Sequence, residues 1–213
     1  MLDKRPLRAE MMQSFLGKKH DKGRAGRGSG FSLVELMVTV AVAAILLAIA
    51  FPSFTSLINS NRLTGQANDL VGALQLARMD AIRYNRRSVL CKTTDGTTCS
   101  AVAGTWTRWL SYVDTNGNGA PAANEIQRSG VLKPNILVLV SPAISGNGNQ
   151  VVFRADGLAH NNAGGLLRAA ISACMATTRP AENVRELRIV SGSRILVQSL
   201  SGSGACAAPG NPP

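Results

Sequence analysis

The chain has 213 residues, 45% of them hydrophobic and 4% aromatic, and a formal net charge of +11. That composition excludes a disordered body, and the length allows one modest domain plus a targeting or anchoring segment. Eight Lys and Arg against three Asp and Glu fall in residues 1–30, and fifteen against nine in residues 31–213, so the positive excess has two sources.

Residues 1–30 are glycine-rich and read as an unfolded cytoplasmic leader, with Met1, Met11 or Met12 as its start. The flank "KKHDKGRAGRGSG" (Lys18–Gly30) is basic, which holds that side of a membrane segment in the cytoplasm. From Leu36 to Phe51 there is no charge, and Thr39 is the one polar residue. With Leu33 and Val34 the run approaches the roughly 20 residues a helix needs to cross a bilayer. Two cuts compete. One follows "AIA" (Ala48–Ala50) and releases a soluble protein beginning at Phe51. The other falls between Gly30 and Phe31 and keeps the apolar run, with a carboxylate, Glu35, four residues from the new terminus.

"G-F-S-L-V-E-L" (Gly30–Leu36), followed by an uncharged helix, resembles the processing signal of type IV pilins and pseudopilins. The resemblance implies cleavage by a prepilin peptidase after Gly30 and N-methylation of Phe31. It also implies assembly with other pilins or pseudopilins through the helix, with Glu35 as an assembly residue. An ionised side chain at a helix centre in lipid costs on the order of 2.5–3.5 kcal/mol, so such a residue usually has a partner. The Phe31 amine of a neighbouring subunit would neutralise Glu35 and fix the axial offset between copies. Snorkelling of Glu35 to the headgroups is the simpler alternative.

Pro52 is expected to kink the helix. Beyond it Leu63, Ala67, Leu70, Leu74, Ala77 and Ala81 recur at intervals of four and three, one face of an amphipathic helix. Arg62, Gln66, Asp69 and Arg78 lie off that stripe. One helix is predicted over about residues 32–83, on the order of 75 Å long.

After Tyr84 the pattern becomes short β-favourable runs separated by Gly, Asn, Pro and Asp: 86–94, 105–114, 135–143, 150–157, 166–175 and 184–200. This predicts an α+β fold, with the long N-terminal helix packed on a small antiparallel β-sheet. The expected organisation is leader 1–30, transmembrane and assembly helix 31–53, amphipathic continuation 54–86, β-rich domain 87–204 and tail 205–213. Cys91, Cys99, Cys174 and Cys206 allow three pairings. Cys91–Cys99 with Cys174–Cys206 is favoured, because the first pair brackets a short loop with an Asp-Gly turn; four free thiols are the alternative.

The stretches "NRLTGQANDLVGALQLARMDAIRYNRRSVLC", "WLSYVDTNGNG" and "VFRADG" resemble the GspH/FimT group of pseudopilins. Membership implies a minor subunit of a type II secretion pseudopilus or a type IV pilus, near the tip and active in starting assembly. It would be a single-pass protein of the inner membrane, in contact with its lipid, with the C-terminal domain in the periplasm.

"DTNGNGAPAANE" fits a calcium-loop pattern at Asp114, Asn116, Asn118, Gly119 and Glu125. Yet only two of these ligands are charged, and an Asn-Gly hairpin turn carries the same letters. Beyond Phe31 the basic residues are thirteen Arg and two Lys. Some group members are implicated in DNA binding through a C-terminal Gly-Arg-x-Arg motif. Here "SRIL" (Ser193–Leu196) keeps Arg194 alone, which puts DNA in doubt; Arg185, Arg188 and Arg194 are the candidates, against a solvated basic face. Catalysis has little support. His20 lies in the leader, and His160, which could imitate an acid–base pair with Asp156, reads as a lone exposed loop histidine.

Overall fold

The structure, a computed structural model, describes residues 30–213. The leader reading, its three possible starts, its basic flank and His20 lie outside the described residues. The described chain divides into two units, one ending at Ala44 and one spanning Ile45–Pro213.

In the first unit the described residues begin helix α1, which spans Leu33–Tyr84. Ser32 sits just ahead of it. Its Oγ accepts the Glu35 N–H at 3.2 Å, and its carbonyl accepts the Leu36 N–H at 3.1 Å. That is the start of a helix capped by serine, with glutamate at the third helical position. Phe31 and Leu33 are each 74% exposed, and among the described residues the apolar side chains that follow, through Leu47, are exposed too. The helical assignment runs through Pro52 without a break, so the proline does not end the helix.

In the second unit the predicted stripe is the buried face of α1. Leu63, Leu70, Leu74, Ala77 and Ala81 are wholly buried and Ala67 nearly so. Each fully buried leucine contributes roughly 1.5–3 kcal/mol. Two polar residues are buried with them. Gln66, read from the sequence as lying off the stripe, accepts the Lys133 N–H at 2.8 Å through Oε1. Asp80 takes an ion pair from Arg128.

Nine strands follow: β1 (Arg87–Thr93), β2 (Arg108–Asp114), β3 (Ile126–Val131), β4 (Leu137–Val140), β5 (Gln150–Phe153), β6 (Ala159–His160), β7 (Ala169–Cys174), β8 (Val184–Val190) and β9 (Arg194–Leu200). A four-residue helix, α2 (Pro142–Ser145), lies between β4 and β5. The expected single sheet is two antiparallel sheets, ordered β3-β2-β1-β5-β6 and β4-β7-β8-β9. Leu90, Val151 and Phe153 of the first and Ile171, Leu187 and Ile189 of the second form one core with the α1 stripe. The other face of the first sheet carries a smaller cluster of Val89, Cys91, Leu110, Tyr112 and Val152. Burial on both faces explains why β1 shows no alternation.

The run read as one β stretch over 184–200 is a hairpin. It turns at Ser191–Ser193, where Gly192 has φ 71°, a backbone region that suits glycine. Cys91 bonds Cys99, and Cys174 bonds Cys206. The second bridge ties down the C-terminal residues, which are more than a loose tail. Pro209 and Pro212 are buried, and Asn211 Oδ1 accepts the Ala143 N–H at 3.0 Å.

Candidate functional site

At the start of α1 the sequence places an exposed aromatic residue, a serine cap and one carboxylate within five positions. The cap fixes where the helix begins, so Glu35 stands in its first turn, where the helix dipole favours negative charge. The S-x-x-E spacing of Ser32 and Glu35 was visible in the sequence, and the structure shows its serine half, Ser32 Oγ accepting the Glu35 N–H. Gly30 precedes the helix, and Phe31 lies between them, open to solvent.

The loop after β2 closes on itself. Asp114 Oδ1 accepts the Gly117 N–H at 2.8 Å, Oδ2 accepts the Gly119 N–H at 3.1 Å, and Arg87 lies 3.2 Å from Oδ2. Glu125 Oε1 accepts from the Thr115 hydroxyl at 2.6 Å and from the Thr115 and Asn116 N–H groups. Its Oε2 accepts the Ala122 N–H at 3.2 Å. Asn116 and Asn118 use their Oδ1 atoms on the Asn118 and Ala120 N–H groups. Gly117 and Gly119, at φ 77° and 76°, permit the turn. The Thr115 hydroxyl, then the surrounding amides, hold the Glu125 carboxyl below its ordinary range. All four carboxylate oxygens of the calcium pattern therefore already accept from the loop's own donors. These bonds, with Arg87, hold the segment as an Asn-Gly turn. The loop also covers the smaller cluster: the Tyr112 hydroxyl donates to the Gly119 carbonyl at 2.9 Å, and burial pushes that phenol up.

The three candidate arginines do not form one patch. β8 alternates, so Arg185 points inward with Leu187 and Ile189 while Arg188 points outward. Arg185 is 8% exposed and clamps β8 to α1. Its Nη2 donates to Ser60 Oγ at 2.9 Å and its Nε to Thr64 Oγ1 at 3.3 Å. Nη1 donates to the Glu182 carbonyl at 2.8 Å and the Val184 carbonyl at 3.2 Å. It has no fork left for a phosphate, which corrects its reading as a DNA contact. Arg188 lies 3.2 Å from Glu186, and Arg194 opens the exposed edge strand β9.

His160 also departs from expectation. It is buried in β6, 9% exposed, rather than on an exposed loop. Nδ1 lies 3.0 Å from the Gly164 carbonyl and Nε2 3.3 Å from Asp156 Oδ2. The Leu158 N–H, with a smaller part from His160, holds the Asp156 carboxyl below its ordinary range. These contacts pin a turn beside Ser193, whose Oγ accepts the Ala159 N–H at 2.7 Å. Both ring nitrogens face acceptor oxygens of that turn.

The chain is similar to several known proteins. The model of a prokaryotic N-terminal methylation motif matches residues 27–51. Among solved structures, the type IV minor pilin FimU of Pseudomonas aeruginosa aligns at 19% identity with a TM-score of 0.46, covering 65% of this chain and 90% of that one. The minor pseudopilin EpsH of the type 2 secretion system of Vibrio cholerae aligns at 13% identity and a TM-score of 0.45, covering 65% and 97%. No curated protein matches the chain. The family model described as type II transport protein GspH matches residues 66–193, more than half of the chain, and the protein belongs to the GspH family.

Proposed function

We propose that this chain is a minor pseudopilin of a type II secretion machine, made as a precursor and trimmed between Gly30 and Phe31. A prepilin peptidase removes the leader, Phe31 is N-methylated, and the helix remains as a single inner-membrane anchor. The domain from residue 54 onward then stands in the periplasm. The observation that carries this reading is the uncovered apolar side of α1, with one carboxylate at its first turn. Phe31, Leu33, Val34, Leu36, Met37 and Leu47 are all exposed, a surface that needs lipid or neighbouring helices. Within lipid, Glu35 is best neutralised by the free amine that cleavage creates on Phe31 of an adjacent subunit. A fixed carboxylate and a terminal amine define one axial step, which is what a helical filament requires.

Two substitutions separate this role from capping. Glu35→Gln keeps a side chain suited to the third helical position but removes the charge. It should insert and be cleaved normally, yet fail to enter sheared filaments or to cross-link with other subunits. Glu35→Ala should do the same. Normal incorporation of Glu35→Gln would defeat the pairing.

A further inference from the structure

Each sheet ends in two edge strands, and three of the four edges are short, irregular or covered. β3 pairs with β2 through a register shift and carries Arg128. β6 is two residues long. β4 is four residues long, and on its outer side the Trp106 N–H donates to the Val138 carbonyl at 2.8 Å. β9 has none of these protections. All seven of its residues pair with β8 in unbroken register, and it holds neither lysine nor proline. Among the described residues no other backbone hydrogen bond involves Arg194–Leu200. Apolar side chains stand on both of its faces. Ile195 and Val197 lie opposite Ile189 and Leu187 on the core side, Leu196 and Leu200 on the outer side, and Leu196, Val197 and Leu200 are exposed. A long, regular, apolar edge is a template for another strand.

The edge runs beside α1. Just before β9 the Ser193 carbonyl accepts from Arg78 Nη1 at 3.3 Å. Near its other end Ser199 lies opposite Arg185, which holds Ser60 and Thr64. β9 therefore runs back along the helix toward Leu57, which is exposed and three residues before Ser60 on the same helix face. Leu57 and Phe54 continue the exposed apolar residues of α1, the surface that assembly would give to neighbouring subunits. We propose that β9 takes up an extended segment of a different subunit as a fifth strand of the second sheet. Main-chain pairing supplies the affinity, and alternate side chains select the segment. Arg194 is the one charge on β9, so the segment has apolar or hydroxyl side chains on both faces and an acid where it meets Arg194. A second copy of this chain does not fit. Pairing two β9 strands antiparallel turns one α1 over, whereas both anchors enter one membrane by the same end. Pairing them parallel about a two-fold axis sets Arg194 against Arg194. That exclusion rests on the anchored reading above.

The test is titration of a fluorescein-labelled heptapeptide, Val-Thr-Thr-Val-Ile-Val-Glu, with the full chain in detergent micelles. Paired antiparallel to β9, this probe sets its glutamate on Arg194 and its central valine on Val197. Fluorescence anisotropy should rise to saturation, with no rise for empty micelles. Hydrogen exchange of the backbone amides of residues 194–200 should slow when the peptide is bound. Proline in place of the central valine should weaken binding at least about tenfold, since it removes a ladder donor. Arg194→Glu should weaken binding about twofold to fivefold, and a peptide ending in lysine should restore it. Absence of saturable binding, equal binding of the proline peptide, or unchanged exchange in residues 194–200 overturns the proposal. Failure of the lysine peptide to restore binding overturns the acid opposite Arg194. Protection of residues 194–200 without peptide, rising with protein concentration, overturns the choice of a different subunit in favour of a second copy. None of these readouts depends on the cut between Gly30 and Phe31, so their failure leaves the trimmed anchor standing.

Discussion

Replacing Arg185 with methionine tests whether that arginine belongs to the fold or to a surface. Methionine keeps an unbranched apolar stem and loses all donors. Four hydrogen bonds go with the guanidinium; the 2.8 Å bond to Glu182 and the 2.9 Å bond to Ser60 are the best formed. Hydrogen bonds to charged groups contribute about 1.5–3 kcal/mol each, so those two set a loss of about 3 kcal/mol. That is the low end of the range for two such bonds, because the apolar replacement also relieves the cost of burying a charge. For a domain of this size, 1 kcal/mol corresponds to roughly 2–4 °C, so Arg185→Met should melt about 6–12 °C below the parent. Thermal unfolding followed by circular dichroism reads this directly. Arg194→Met, on the exposed edge strand, should stay within about 0.5 kcal/mol. A parental melting temperature for Arg185→Met, or an equal fall for Arg194→Met, would refute the inward clamp.

The two disulfides should differ in worth. Cys174–Cys206 closes a separation of 32 residues and Cys91–Cys99 one of 8, so chain entropy assigns them about 3.7 and about 2.5 kcal/mol. Urea unfolding of Cys174→Ser/Cys206→Ser should show the larger loss, and the reverse order would count against the closed C-terminal segment. The Asp114–Glu125 loop is read as a turn, so calcium at millimolar level against EDTA should leave the melting midpoint unchanged; a rise of several degrees would establish a calcium site instead. Glu125 and Asp156 both have carboxyls held below their ordinary range. The unfolded chain therefore binds more protons at these sites, and their stabilisation is complete above the unfolded values of about 4.3 and 3.9. It is lost as pH falls through the lower folded values. Melting should thus drop below about pH 4, and Glu125→Gln should flatten that acid slope; an unchanged slope would remove Glu125 as a contributor.

How much was legible depended on whether a residue's partner was local. The α1 stripe follows from helical period alone, and Leu63 through Ala81 are buried as that period requires. Gln66 and Asp80 break the rule because their partners, Lys133 and Arg128, come from distant chain. The period places both on the buried face, Gln66 three after Leu63 and Asp80 three after Ala77, but nothing local announces their partners. β3 was missed for a related reason. "IQRSGV" lacks apolar alternation and is a strand through its pairing with β2 and the Arg128–Asp80 bond. Splitting of the strands into two sheets likewise depends on non-local pairing, with β5 beside β1 and β4 beside β7. Arg185 was different. The alternation of Arg185, Leu187 and Ile189 already places it on the core face, and its positive charge drew it into the DNA reading instead.

The central claim is that the apolar helix stays attached after trimming. Mass spectrometry of the amino-terminal peptide of protein isolated from cells tests it most directly. The prediction is a first residue of N-methylated Phe31, with Glu35 still in the chain. A first residue of Phe51, or an intact leader in the filament fraction, would contradict it.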